Sequence, residues 1–356
     1  MKPGWTYKKL PEISENLDSI RKPVTKKNRT AGIYPYYGAS GIVDYVDDYL
    51  FDEDLLCISE DGANLLMRTY PIAFPISGKV WVNNHAHVLR FESLTTQRYV
   101  EYFFTGLKLD DYITGAAQPK LTQKALNSIV IKIPTTISEQ HRIVERLDAA
   151  FAQIDELKAN AEKQVNEARA LFQRALTEAM EPKEGWGEFM FSDVIKLQSG
   201  DYLSSKEYVR GEFPVYGGNG IAGYHNKYNK DGEIIVVGRV GALCGNVHYI
   251  KNPIWLTDNG FEVIVQNNFD FDKKFLSRYL KYMDLGKYAR QAAQPVISNS
   301  SLKDIPMFIP PLSEQHRIVA RLDALSARVR ELEEIQKNVI TECDNMKQAI
   351  LRQVFE

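Results

Sequence analysis

The sequence predicts an α+β protein in which two β-rich domains repeat one another and are separated by two long antiparallel coiled-coil helices. Residues 137–148 (ISEQHRIVERLD) return as residues 312–323 (LSEQHRIVARLD), with ten of twelve positions identical at an offset of 175. Each copy opens with about 130 residues in which short apolar runs alternate with turns. Each copy ends in about 45 residues rich in Ala, Glu, Arg, Gln and Leu, which are strong helix formers.

The repeat extends over the whole chain. Residues 34–49 (YPYYGASGIVDYVDDY) return as 213–228 (FPVYGGNGIAGYHNKY), and the AAQP of 116–119 returns at 292–295. The segments 137–148 and 312–323 are nearly identical, whereas the β-rich parts share turns and aromatic residues but little else. This indicates one scaffold with two diverged surfaces. The predicted boundaries are 1–136 and 182–311 for the domains, and 137–181 and 312–356 for the helices.

Local patterns predict the main elements of each domain. Apolar runs bounded by acids or glycines predict buried strands, other apolar runs end at a proline, and aromatic residues at helical spacing predict helices. The buried strands are 55–58 and 234–237, the strands ending at proline are 129–134 and 307–310, and the helices are 97–109 and 273–283.

The two long helices carry apolar residues at a 3/4 spacing that is typical of a coiled coil. Ser138 and Ser313 are predicted as their N-caps. An antiparallel register in which facing residue numbers sum to 500 places small residues opposite large ones, and Gln164 opposite Gln336. A buried amide pair of this kind fixes register. Such a pairing would relate the two domains by an approximate two-fold axis, although each helix packing only on its own domain remains an alternative.

Composition narrows the class of protein. The chain of 356 residues is 44% hydrophobic and 25% charged, which predicts globular domains and not a disordered chain. Its apolar runs are too short to cross a bilayer, and its start lacks the apolar core of a signal peptide, so a soluble cytoplasmic protein is predicted. Its three cysteines are far apart and form no CxxC pair. The net charge of −2 predicts weak DNA binding without a partner.

Enzyme signatures are missing from the sequence. It contains no G-x-G-x-x-G, Walker A or G-x-S-x-G motif, and no Asn-Pro-Pro-aromatic segment of the amino-methyltransferases. We therefore predict no catalytic residues. His85-Ala-His87 is a weak metal signal without nearby carboxylates in sequence, and no metal site is predicted. His141 and His316 recur in the two copies, which favours a structural or docking role over catalysis.

The doubled S-E-Q-H-R-I-V-x-R-L-D, each copy following a strand that ends in proline, resembles the repeated regions of type I restriction–modification specificity (S) subunits. Residues 116–121 (AAQPKL) and 292–297 (AAQPVI), at the end of each β-rich part, also resemble that family. The resemblance covers essentially the whole chain. It implies two target-recognition domains that read a bipartite DNA target, with the helices as spacers between the half-sites. It also implies a non-catalytic subunit that joins two modification (methyltransferase) subunits, which bind S-adenosylmethionine, and restriction (translocase/endonuclease) subunits, which use ATP and Mg.

Base edges and phosphates are read by polar and cationic side chains, so such residues in loops are the candidates for DNA binding. For each of them, a surface or turn role remains open. Val296 stands where the first copy has Lys120, so a phosphate contact there is not expected to be shared. The candidates are Lys26, Lys27, Arg29, Tyr37, Ser40, Asn83, Asn84, Gln118 and Lys120 in the first domain, and Tyr216, Asn219, Arg239, Asn259, Gln294 and Asn299 in the second.

Two other classes of function compete with this interpretation. A non-enzymatic interaction protein could hold two ligand-binding domains on a helical rod. An enzyme with an unfamiliar site is the second alternative, but two diverged copies would then have to share a catalytic set. The copies share Gly, Pro, Tyr and Gln, and no such set.

Overall fold

The structure, a computed structural model, describes residues 3–115, 118–290 and 294–355. The fold is α+β, as predicted. The chain forms two compact units: the first combines residues 1–162 with 337–356, and the second spans 163–336. Each unit therefore holds one β-rich domain together with a piece of both long helices.

The described residues of the first domain form three small sheets. Strands β1 and β10 pair antiparallel, a second sheet has the order β2-β9-β6-β7, and a third has the order β4-β3-β8-β5 with β3 parallel to β8. The elements are β1 (Trp5–Lys9), β2 (Glu15–Asn16), β3 (Ala31–Gly38), β4 (Gly41–Val46), β5 (Phe51–Asp52), β6 (Leu55–Ser59), α1 (Asn64–Met67), β7 (Ala73–Ile76), β8 (Lys79–Val82), β9 (Ala86–Arg90), α2 (Leu94–Gly106), α3 (Gln123–Ser128) and β10 (Val130–Pro134).

A long helix, α4 (Ile137–Met180), follows, and the second domain then repeats the arrangement of the first. Strands β11 and β19 pair antiparallel, and the other sheets have the orders β12-β18-β15-β16 and β14-β13-β17, with β13 parallel to β17. The elements are β11 (Gly187–Met190), α5 (Phe191–Val194), β12 (Ile195–Ser199), β13 (Phe213–Gly217), β14 (Gly220–His225), β15 (Ile234–Gly238), β16 (Val247–Ile250), β17 (Trp255–Leu256), β18 (Gly260–Val265), α6 (Lys273–Tyr282), α7 (Asn299–Leu302), β19 (Pro306–Ile309) and the long helix α8 (Leu312–Phe355).

The central strands β6 and β15 are buried along their whole length. Cores pack against both faces of each strand, which explains why their residues form continuous apolar runs and do not alternate. The two buried strands predicted from these runs are confirmed.

The long helices α4 and α8 contain 44 residues each, which gives a length of about 66 Å. They begin one residue before Ser138 and Ser313, so the prediction that these serines cap them was wrong. In α4 the hydroxyl of Thr136 accepts a hydrogen bond from the backbone N–H of Glu139 at 3.4 Å, which is the contact that an N-cap makes. No described helix is both long and apolar enough to cross a membrane.

The buried glutamines of the repeated motif explain part of its recurrence. The side-chain amide of Gln140 donates to the carbonyl of Pro134 at 2.9 Å, and its oxygen accepts from the Thr96 hydroxyl at 2.7 Å. Gln315 makes the equivalent bond to the carbonyl of Pro310 at 3.0 Å. A buried amide needs such partners, so each glutamine ties the start of a long helix to the strand before it.

Pieces of both helices pack antiparallel within each unit. In the first unit Lys158 pairs with Asp344 at 2.9 Å, and Lys347 pairs with Asp155. In the second unit Arg169 pairs with Glu333 at 2.6 Å.

Part of the predicted apolar seam is not buried in this chain. Leu157, Leu171 and Met346 are about half exposed. The Nε2 of Gln336 donates to the Oε1 of Gln164 at 2.9 Å, but this bond is exposed and not buried as the sequence predicted.

Candidate nucleic-acid interface

Three loops of the first domain converge on the residues that follow the central strand β6. The backbone N–H of Glu60 donates to the carbonyl of His85 at 2.9 Å, and the carbonyl of Glu60 accepts from Leu121 at 2.7 Å. The hydroxyl of Ser59 donates to the carbonyl of Ala39, in the turn between β3 and β4. The end of one strand therefore holds the β3–β4 turn, the loop after β8 and the loop before α3 at one place.

The second domain builds the same cluster with other side chains. The N–H of Arg239 donates to the carbonyl of Asn259 at 3.0 Å, and its carbonyl accepts from Ile297 at 2.9 Å. Arg239 therefore makes the same two backbone bonds as Glu60 and occupies the equivalent position in the second domain. A Cβ on Gly238 would lie 2.1 Å from the carbonyl oxygen of Gly218, so only glycine allows the β13–β14 turn to approach this closely.

Most of the predicted DNA-binding residues of the first domain lie in this cluster. Ser40, Asn84 and Gln118 are exposed there. Asn83 is buried, and its Oδ1 accepts from the N–H of His85 at 2.7 Å, which is a loop-stabilising contact. Lys120 is exposed, and its ammonium lies 3.0 Å from Glu60.

The remaining candidates of the first domain lie outside the cluster or at its edge. Lys26 and Lys27 are exposed on a short 3₁₀ helix. Arg29 pairs with Asp44 at 2.9 Å and lies over the ring of Tyr36, so its charge is already used inside the domain. Tyr37 is half-buried and stacks on Phe74, and its carbonyl accepts from the N–H of Asn83.

In the second domain Asn219, Arg239, Asn259 and Gln294 lie in the cluster, and Tyr216 adjoins it. Asn219, Asn259 and Gln294 are exposed. Asn299 is engaged elsewhere, because its side chain accepts from the N–H of Leu197 at 2.8 Å and donates to the carbonyl of Leu197 at 2.9 Å. Ala116, Ala117, Ala292 and Ala293 of the repeated AAQP segments lie outside the described residues.

A buried ionic network that no sequence pattern predicts supports the first cluster. The guanidinium of Arg21 lies 2.6 Å from Glu60 and 3.2 Å from Asp18. Asp18 also contacts the Nδ1 of His87 at 2.6 Å, and the Nε2 of His87 lies 2.8 Å from the carbonyl of Leu121. The contacting groups are between 3 and 69 residues apart in sequence, so no single local pattern connects the network.

The fold also brings carboxylates to the two histidines at 85 and 87, which have none nearby in sequence. Carboxylates that are distant in sequence reach both: Asp61 contacts His85 at 2.9 Å, and Asp18 contacts His87. Asp18, Glu60 and His87 lie close enough to share a metal ion. The guanidinium of Arg21 already pairs with both carboxylates, so the cluster carries its own cation.

The network predicts an acid-sensitive first domain. Burial would raise the pKa of Glu60, but hydrogen bonds from Arg21 and Lys120 outweigh burial and lower the pKa below its ordinary 4.5. Burial would also raise the pKa of Asp18, but the hydrogen bond with His87 helps to lower it below its ordinary value. A depressed carboxyl pKa contributes stability that is present above the ordinary value and is lost as pH falls through the folded one. We expect the amide of Leu121 to lose hydrogen-exchange protection below about pH 4 while that of Ile297 keeps it. Equal loss at both amides would contradict this.

Comparisons with known proteins also find one domain repeated in the chain. The family model described as the type I restriction modification DNA specificity domain matches twice, over residues 2–167 and 183–342. A Haemophilus influenzae protein, provisionally named as a type I restriction enzyme specificity subunit, is 30% identical over 344 residues, which cover 89% of this chain and 86% of that one. The EcoDI specificity subunit of Escherichia coli is 22% identical over 91% of this chain and 82% of its own.

Solved structures show the same fold. A chain from a study of complex assembly and conformational transition in the type I R-M system superposes with a TM-score of 0.73 at 18% identity, over 100% of this chain and 98% of that one. The HsdS subunit of Thermoanaerobacter tengcongensis gives a TM-score of 0.60 at 16% identity, over 100% and 97%. The chain belongs to the type I restriction–modification DNA specificity family and carries its domain twice. It is a specificity subunit, a class that supplies DNA recognition and not catalysis.

Proposed function

We propose that the chain reads a bipartite DNA target, with one half-site bound by each loop cluster. The observation that supports this most directly is the pair of clusters themselves. Their backbone hydrogen bonds are equivalent, but the side chains differ: Glu60 corresponds to Arg239, and Lys120 to Val296. A common frame that presents different donors and acceptors suits two different base sequences.

The polar residues that the two clusters expose would make the base and phosphate contacts. In the first domain these are Ser40, Asn84, Gln118 and Lys120, and in the second Asn219, Asn259 and Gln294, together with the half-buried Arg239. Lys26 and Lys27 would add phosphate contacts. The amide pair Gln164–Gln336 would help to fix the register of the helices, and with it the spacing between half-sites.

The partners would be two modification subunits, one for each copy of the repeated motif. The buried positions of the motif are explained by packing. Four of its six exposed positions are also identical in the two copies, whereas Ile137 and Glu145 are replaced by Leu312 and Ala320. His141 and Arg142 are exposed on α4, and His316 and Arg317 are exposed on α8. Folding does not require identical residues at exposed positions, so we infer that both surfaces bind the same partner. These subunits would hold S-adenosylmethionine, and restriction subunits would add ATP and Mg.

Reversing the charge of this surface is expected to remove modification subunits one at a time. Arg142→Glu or Arg317→Glu should each reduce the number bound from two to about one, and the double variant should bind none. Native mass spectrometry of the co-expressed complex measures this stoichiometry. Among the described residues, both arginines pair only with a glutamate on their own helix, and both are highly exposed. Folding should therefore change by less than about 1 kcal/mol.

Lys163→Glu is the matched control, because Lys163 is an exposed helical cation that, in the described part of the chain, also pairs only within its own helix. It should leave two modification subunits bound. Undiminished binding by the double variant would show that the repeated surface is not the docking site.

DNA reading itself is tested by selection from a random duplex library with the assembled complex. We expect enriched sequences with two fixed blocks and a spacer of constant length and free sequence. A complex that assembles but enriches nothing would support an interaction protein in place of a DNA reader.

A further inference from the structure

Most of the half-buried arginines that the structure describes have a carboxylate partner. Seven arginines of the described residues are half-buried, and five of them pair with Asp or Glu: Arg21, Arg29, Arg90, Arg98 and Arg278. Arg68 donates instead to the carbonyls that end α2, those of Phe104 and Leu107. Arg239 also has no carboxylate partner among the described residues, and only its Nη1 donates to a carbonyl, that of Asp258. Partial burial weakens the hydration of a cation, so a guanidinium without a carboxylate and with unused N–H groups indicates a missing acceptor.

The guanidinium of Arg239 is held in one orientation. Its Cζ lies 5.4 Å from the centroid of the Phe261 ring, and its Nη1 donates to the carbonyl of Asp258 at 3.2 Å. The same nitrogen lies 3.5 Å from the hydroxyl of Ser199. The backbone on both sides of the side chain is fixed by the bonds to Asn259 and Ile297. The Nε and Nη2 groups have no hydrogen-bond acceptor among the described residues, so one edge of the fork is preorganised and available.

A fixed fork of two N–H donors matches the two acceptors on the major-groove edge of guanine, O6 and N7. A phosphate also attracts a guanidinium, but exposed flexible cations serve that purpose, and a side chain held by a ring and a carbonyl gives directional recognition. We propose that Arg239 reads a guanine in the half-site of the second domain. The inference rests on the proposed function, because it assumes that this cluster faces DNA.

The first domain has the opposite charge in the same place. Glu60 is almost fully buried, and its carboxylate pairs with Arg21 at 2.6 Å and with Lys120 at 3.0 Å. The equivalent backbone bonds hold both residues, so the exchange of Glu for Arg leaves the frame unchanged and alters only what it presents. Reading of guanine by this position is therefore confined to one half of the target.

The test uses the assembled methyltransferase and duplexes in which single guanines are replaced by 7-deazaguanine, which lacks the N7 acceptor. For the unaltered protein we expect one replacement, in one half-site only, to weaken binding by about 5- to 150-fold. Arg239→Ala should bind the normal duplex that much more weakly, and the same replacement should then cost nothing further. Arg239→Lys, which keeps the charge without the fork, should behave in the same way and guards against misfolding of the alanine variant. Arg210→Ala, an exposed arginine of the same domain, should retain the full effect of 7-deazaguanine.

Three results would overturn the proposal. The first is that no guanine in either half-site is sensitive to the replacement, and the second is that the sensitive guanine remains sensitive in both Arg239 variants. The third is that the Arg239 variants lose equal affinity for specific and unrelated DNA, which indicates a phosphate contact. Failure of the proposed function looks different, because the unaltered complex would then discriminate between no duplexes at all.

Discussion

Replacing Arg21 with alanine is expected to destabilise the first domain by about 3–5 kcal/mol. Arg21 donates to the carboxylate of Glu60 and to the carbonyl of Ala86, both at 2.6 Å, and it pairs with Asp18. All of these partners are buried or nearly so. Truncation would leave two carboxylates without their cation in a poorly hydrated place, and only His87 and Lys120 would remain to compensate.

Hydrogen exchange at the amides of β6, Leu55–Ser59, measures this loss within the first unit. Arg90→Ala is the matched control, because Arg90 also pairs with two carboxylates, those of Glu15 and Glu53, but at 39% exposure of its side chain. An exposed network of this kind should contribute about 1 kcal/mol or less. Equal destabilisation by the two variants would show that the buried network does not support the loop cluster.

Replacing Leu351 with alanine is expected to destabilise the first unit by about 2–5 kcal/mol, although this residue is near the end of the chain. Its side chain is 0% exposed and belongs to the core that contains β6 and α2. The neighbouring Phe355 contacts the rings of Tyr99 and Phe103 at centroid distances of 5.2 and 5.6 Å. The cost includes the lost transfer energy of the side chain and the cavity that remains.

Met346→Ala is the control on the same helix, because its side chain is 49% exposed. It should change the free energy of unfolding by less than about 1 kcal/mol. Chemical denaturation, followed by exchange at first-domain amides, separates the two variants. If Leu351→Ala affected only the helix and not those amides, the last turns of α8 would not belong to the core of the first domain.

The internal repeat accounts for the part of the fold that sequence could predict. It marked the two long helices and the equivalent domains, because helix formers and buried apolar strands have strong local patterns. Helix starts are less certain: a threonine one position before the observed start of α4 provides the cap that was assigned to Ser138. An N-cap depends on one side-chain hydrogen bond, and the hydroxyls of threonine and serine can both accept it.

The candidate site was predictable only in part. Loops with polar residues identified much of both clusters, but burial decides which of those side chains are available. Asn83 and Asn299 have the chemistry of base readers and instead stabilise the backbone. The contact between Asp18 and His87 joins residues 69 positions apart, and only the folded chain brings them together.

The most direct test is a map of adenine methylation across the genome, in otherwise identical cells with and without this gene, and with the Arg239→Lys variant. A specificity subunit with two independent readers predicts a split motif that disappears on deletion. In the variant, one guanine should become degenerate in one half while the other half stays unchanged. A map that is the same in all three cells would contradict the assignment of DNA recognition to this chain.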